Sequence, residues 1–246
     1  MKNQLRSEAY KMATTRGNAG LAAAMLGLVG LAILVHVLSL SAQDLATRSQ
    51  QLSLFIDVGV NLAALFAALV GALAVTGEYR TRTIRPTLLA QPRRATVITA
   101  KAACVLVAGA VTGLLSAGAA AGIGSIALAG RGFTNRLTAA DITQLLTGAA
   151  GGGALWAAIG LGVGAAIRAQ VPAVVGLFAW VLFVENTLVE IPRVERFAPG
   201  ALAKSLAGQT DDGILASGAL AALLLLAYAA VATGIALRST ARRDLA

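Results

Sequence analysis

Apolar positions along this chain of 246 residues come in long blocks separated by short polar segments. Six blocks of about 20 residues or more carry few charges: 18–40, 54–76, 100–129, 142–167, 171–189 and 214–237. A helix rises 1.5 Å per residue, so about 20 residues cross a hydrocarbon core of roughly 30 Å. In lipid the backbone must satisfy its own hydrogen bonds, which restricts such blocks to helices. The expected fold class is all-α integral membrane, a single transmembrane domain over 1–246 with six transmembrane helices. The third block is long enough to need tilt or an early end. The fourth and fifth blocks are separated only by Arg168, Ala169 and Gln170, with Pro172 just beyond. A tight turn fits there, because an arginine resists burial and a proline suits the first turn of a helix.

The segments outside the blocks have patterns of their own. In residues 1–16, Leu5, Ala9, Met12 and Ala13 recur at helical spacing among Lys2, Arg6, Lys11 and Arg16. Two readings stand: a helix lying in the membrane interface, or a basic tail that only sets topology. The block 18–40 exceeds the roughly 7–15 residues of a signal-peptide core, and Leu40 in Leu40-Ser41-Ala42 is too large for a cleavage site. It is expected to be a retained span. The segment 77–99 is too polar to cross lipid and longer than most helix–helix connections. Within it Ile84, Leu88 and Leu89 form one apolar stripe beside arginines. A short helix parallel to the membrane is expected, starting near Pro86 and ending near Pro92.

Composition agrees with a membrane protein: 57% of residues are hydrophobic and 13% charged, with a mean hydropathy of +0.77. Soluble domains carry nearer a quarter charged residues. The formal charge of +9 would point to nucleic acid in a soluble chain; here the cations sit in short loops and report topology instead. With six spans, 14 of the 20 Lys and Arg fall on the side that holds both termini. The positive-inside rule makes that side cytoplasmic, in a multi-pass protein of a bacterial-type cell membrane. One cysteine, Cys104, and one histidine, His36, leave no internal disulfide and no Cys/His metal site. No Gly-x-x-x-x-Gly-Lys-[Ser/Thr] phosphate loop occurs, nor His-Glu-x-x-His, nor Gly-x-Ser-x-Gly. No catalytic residue and no cofactor bound by this chain are expected.

The string Gly77-Glu78-Tyr79-Arg80-Thr81-Arg82-Thr83, followed by Arg85, Leu88, Leu89, Pro92 and Arg93, resembles the cytoplasmic coupling region of ABC transporter permeases of the ABC-2 type. That family runs roughly Glu-Tyr-Arg, Thr, a basic residue, a Leu-rich turn, then Pro with Arg. Lys101, Arg168, Phe197-Ala198-Pro199-Gly200-Ala201 and the Arg242-Arg243-Asp244 tail also fit its layout. Pro86 departs from the pattern and leaves the extent of the coupling helix open. The resemblance implies an exporter permease that forms the translocation pathway with a second copy or paralogue. It implies two separate ATP-binding subunits beneath, which carry ATP and Mg. It assigns contact with those subunits to Glu78, Tyr79, Arg80, Thr83, Arg85, Leu88, Pro92 and Arg93. A stand-alone channel or ion-coupled carrier, and a scaffold that recruits a cytosolic partner, are the competing readings.

Polar residues inside spans are costly and stand as candidates for function. Asp57 and Asn61 lie one turn apart on the second span, and Glu185 and Asn186 lie toward the outer end of the fifth, followed by Glu190. They either line an outward vestibule or reach interfacial water. His36 reads as a packed or interfacial residue, and Asp211-Asp212-Gly213 as a helix N-cap. The glycine pairs 109/113, 118/122, 148/152 and 160/164 permit close helix approach.

Overall fold

The apolar blocks fold as helices in the computed structural model, which describes residues 2–83, 94–189, 191, 194–209 and 217–241. In chain order the helices are α1 (Lys2–Thr14), α2 (Arg16–Ser39), α3 (Arg48–Arg80), α4 (Arg94–Gly130) and α5 (Ala139–Ile167). They continue with α6 (Gln170–Ala179), α7 (Glu185–Val189), α8 (Pro199–Leu206) and α9 (Gly218–Ala241). No strand occurs among the described residues. Five helices, α2, α3, α4, α5 and α9, are long and apolar enough to cross a membrane. The fold is that of an α-helical, multi-pass membrane protein. The expected fifth block is less regular: α6 runs through a π-helical segment, Trp180–Val184, directly into α7.

Several helices run past the apolar blocks, because polar residues at their ends find partners. Thr47 starts α3 with a capping box, its hydroxyl accepting from the Gln50 backbone while the Gln50 side chain accepts from the Thr47 backbone. Thr138 and Asp141 do the same for α5. At the other end of α3 the chain leaves by a Schellman turn: Thr83 N–H donates to Glu78 O and Arg82 N–H to Tyr79 O. Arg82, at φ 57°, takes the left-handed conformation usually given to glycine. The tight turn expected between the fourth and fifth blocks is present, with Arg168 at φ 59° ending α5. Thr15, in extended conformation, breaks α1 from α2.

Helix α3 lies at the centre. It packs on α5, α4, α2, α6 and α8, and α5 in turn packs on α4 and α9. Small residues make this possible. A Cβ added at Gly160 would fall 1.9 Å from the carbonyl oxygen of Ala68, and one at Gly71 equally close to that of Ala157. Gly109 and Gly113 bring α4 onto Gly153 and Ala149 of α5 in the same way. Lipid tails are as apolar as leucine, so such van der Waals contact is a main source of helix association. Three of the four expected glycine pairs serve close packing; Gly118 and Gly122 do not, since a Cβ at Gly122 would meet nothing within 4 Å. On the periphery, α2 buries Met25, Val29, Ile33 and Val37, spaced one turn apart, and exposes Leu31, Val35 and Leu38 outward.

The N-terminal segment forms a helix, α1. Its buried face centres on Glu8, with Leu5 and Met12 half-buried beside it, while Ala9, Tyr10 and Ala13 are exposed. A carboxylate turns inward because a lysine on α4 meets it there. The coupling helix expected around Pro86 lies outside the described residues.

Helix approach at Gly160 leaves no room for a methyl group. Gly160→Ala should therefore destabilise the purified protein by about 2 kcal/mol through forced separation of α3 and α5. Gly122→Ala should leave its thermal unfolding midpoint in detergent unchanged.

Candidate functional site

Lys101 is the only charged residue of the third apolar block. It lies in the second turn of α4, where α1 crosses against that helix, and is 3% exposed. An ammonium held out of water there needs partners, and two carboxylates reach it. Glu8 Oε2 of α1 accepts at 2.5 Å and Glu78 Oε1 of α3 at 3.0 Å. Lys11 closes the ring, 2.8 Å from both Glu8 Oε1 and Glu78 Oε1. The Gln4 amide donates to Glu8 at 3.3 Å. Two carboxylates and two ammonium groups make a neutral quartet that ties α1, α3 and α4 together. Burial pushes the Glu8 carboxyl up, but the Lys101 and Lys11 ammonium groups outweigh it and hold the group below its ordinary value. Burial likewise lowers Lys11, and hydrogen bonds to Glu78 and Glu8 outweigh it, leaving Lys11 raised.

One atom of the quartet is left over. Glu78 Oε2 is buried with no hydrogen-bond partner among the described residues, and so is Gln170 Oε1 at the start of α6. A buried acceptor without a donor costs on the order of 1–3 kcal/mol. Both residues line one cavity of about 340 Å³, whose wall also includes Met12, Val70, Leu73, Arg80 and Lys101.

The candidate coupling residues divide at this point. Glu78 faces inward, 8% exposed, and is bound to lysines of two other helices. Arg80 is exposed, with no ion pair among the described residues. Tyr79 is half-buried, packed on Val97. The Arg168 guanidinium lies 5.6 Å from its ring centre, a cation–π contact. Thr83 closes the Schellman turn, its hydroxyl 2.9 Å from that of Thr81. Arg85, Leu88, Pro92 and Arg93 lie outside the described residues.

At the far end of the bundle the candidate vestibule residues do not meet one another. Each acid is instead drawn to the short helix α8. Asp57 Oδ1 accepts from Lys204 at 2.7 Å. Glu185, 7% exposed, accepts from the Gly200 backbone N–H at 2.9 Å and from the Trp180 indole at 3.3 Å. A carboxylate at a helix N-terminus satisfies donors that the helix cannot. Asn61 lies half-exposed one turn from Asp57. Asn186 lies in α7; its side chain, like Glu190, is outside the described residues. Nearby, Arg48 binds Asp141 through two nitrogens, joining the starts of α3 and α5. Buried Gln51 donates to Leu45 and Thr134 and accepts from Arg136 N–H, closing two loops.

Sequence reasoning missed Glu8, Lys204 and Gln51. Glu8 had a signal: it is the only acid among the first 16 residues, as Lys101 is the only charge in its block. No three His, Cys, Asp or Glu residues cluster to hold a metal among the described residues. No family model matches the chain, and no curated protein matches it.

Lys101→Met should cost about 3–5 kcal/mol, because it leaves two buried carboxylates on one lysine. The double variant Glu8→Gln/Lys101→Met, which keeps the site neutral, should unfold at a higher temperature than Lys101→Met alone. Docking of α1 should also depend on pH. A depressed Glu8 contributes stability above its ordinary value of 4.5 and loses it as pH falls through the lower folded value. A raised Lys11 contributes below 10.5 and loses that as pH rises through the higher folded value. A spin label at Tyr10 should be immobile between those limits and gain mobility beyond either.

Proposed function

We propose that this chain is the membrane-spanning permease subunit of an ATP-driven exporter of the ABC-2 type, paired with a second permease copy or paralogue and bound to separate ATP-binding subunits. The observation that carries the reading is the ordered string from Glu78 to Arg94, placed between the second and third apolar helices of a sequence without a phosphate loop. In this reading α6, the π-helical segment and α7 make the fifth crossing. Together they span 20 residues from Gln170 to Val189, about 30 Å at helical rise. Six crossings then put both termini in the cytoplasm, on the side with most of the Lys and Arg. The segment 84–93, where a short coupling helix is proposed, joins α3 to α4 on that side.

Geometry at the start of the string supports a coupling role. Arg80 is exposed where α3 ends. Two residues earlier, Glu78 is bound to Lys101 of α4 and Lys11 of α1. A force applied by an ATPase to the segment after Arg80 would therefore reach three helices at once. Glu78 acts in this scheme as the internal anchor, with Arg80, Arg85 and Arg93 as the contacts. At the opposite end, α8 meets α3 at Asp57 and α5 at Gly148 and Gly152. Those positions lie at least nine residues, about 14 Å, in from the helix starts. A short helix set that deep closes the outward end of the bundle, and the Asp57–Lys204 pair is the contact whose opening would admit cargo outward.

The tagged chain purified from its own membrane should bring with it a phosphate-loop ATPase, identified by mass spectrometry and by ATP hydrolysis in the eluate. Replacing Arg80, Arg85 and Arg93 together with Ala should weaken that capture by about tenfold or more, equivalent to roughly 1.4 kcal/mol, while membrane insertion is unchanged. A chain that yields no such ATPase, or whose capture survives the triple change, would contradict the assignment.

A further inference from the structure

The cavity beside the charge quartet has a chemical asymmetry. The quartet is neutral and its ammonium groups are engaged. The unmet demand is all of one kind, the two acceptor oxygens Glu78 Oε2 and Gln170 Oε1. Glu78 is more than nine-tenths buried, so its free oxygen is not served by bulk water. Arg80, exposed at the cavity rim, supplies an unpaired positive charge among the described residues. Val70, Leu73 and Met12 make part of the wall apolar. Donors for two oxygens, a negative group for an arginine and an apolar tail for the wall describe one molecule: a zwitterionic amphiphile.

We propose that this cavity binds a phospholipid whose headgroup carries a primary ammonium, of the phosphatidylethanolamine type. Its ammonium donates to Glu78 Oε2 and Gln170 Oε1, its phosphate meets Arg80, and the start of an acyl chain lies along Val70, Leu73 and Met12. The volume of about 340 Å³ is at the lower end of the range for small-ligand sites, roughly 300–1,000 Å³, which suits a headgroup rather than a whole lipid. The chemistry discriminates. A choline headgroup has the same charge but no N–H, so it leaves both oxygens unmet. A glycerol headgroup donates only through neutral hydroxyls, so its hydrogen bonds to the two oxygens lack the charge assistance that an ammonium gives. The bound lipid would sit between α1, α3 and α6 and complete the hydrogen bonding of the quartet. The inference does not depend on whether an ATPase docks nearby.

The test is native mass spectrometry of the full chain in detergent, equilibrated with equal amounts of ethanolamine, choline and glycerol phospholipids of identical acyl chains. The ethanolamine lipid should be retained about thirtyfold over the choline lipid, the size expected of two net hydrogen bonds. Gln170→Leu, which leaves the quartet and Glu78 Oε2 intact, should reduce that ratio to about fivefold, the size expected of the one hydrogen bond that remains. Arg80→Ala should reduce retention of both phospholipids while leaving their ratio above one. Equal retention of ethanolamine and choline lipids by the unaltered chain would overturn the proposal and indicate a water-filled cavity. Stronger retention of the glycerol lipid would also overturn it, since the site would then not be selecting an ammonium. An ethanolamine preference that Gln170→Leu leaves undiminished would remove the assigned acceptor and with it the site.

Discussion

An ammonium group inside an apolar helix end has to be neutralised where it lies, and much of the arrangement at that end of the molecule follows from this. Lys101 is 3% exposed. Two charges taken from water into such a place are tolerated only if their geometry is good and their remaining hydrogen bonds are met. Glu8 and Glu78 provide that from two other helices, and Lys11 balances the second carboxylate. Helix α1, which has few buried apolar side chains of its own, is held against the bundle chiefly by this charge network and by the Leu5 and Met12 contacts beside it. The break at Thr15 lets it lie there, with the Thr15 backbone and hydroxyl and the Asn18 amide hydrogen bonding to carbonyls at the end of α1.

Two of the helices that carry the quartet, α3 and α4, are both set close against α5. Gly71, Gly160 and Gly164 let α3 and α5 approach until backbone meets backbone, and Gly109, Gly113 and Gly153 do the same for α4 and α5. With so little side-chain bulk between them, these helices have few alternative packings. Ion pairs fasten α3 in two places. The same helix carries Glu78 at one end and Asp57 nearer the other, and each is held by an ion pair to a different part of the chain.

The two ends are built on different principles. At the α1 end the polar contacts form a buried, charge-balanced node with a cavity beside it. At the far end they are separate links: Arg48 to Asp141, Lys204 to Asp57, and Glu185 to the N-terminus of α8. The Asp57–Lys204 pair is half open to solvent, and an exposed ion pair contributes little net stability. Glu185 is more firmly held, since a Cβ on Gly200 would fall 2.0 Å from its Oε2. The bundle is thus fastened tightly at one end and loosely at the other.

The positions of α2, α3, α4, α5 and α9 were legible in the amino-acid order alone, because twenty apolar residues in lipid have no other way to satisfy their backbone. The turn at Arg168 was legible for the same reason: a guanidinium between two apolar blocks resists burial. Gly109, Gly113, Gly160 and Gly164 were readable as packing sites, although Gly118 and Gly122 have the same spacing and pack on nothing close, since spacing does not say which face of a helix has a neighbour. The charge pattern of residues 1–16 suggested an amphipathic helix but not that Glu8 would be its inward residue. That choice was made by Lys101, 93 positions away. The links from Asp57 to Lys204 and from Glu185 to Gly200 join residues 147 and 15 positions apart in the same manner. Hydrophobic blocks are local properties and can be read locally. Which buried charge meets which depends on how the helices pack, and only the tertiary structure decides that.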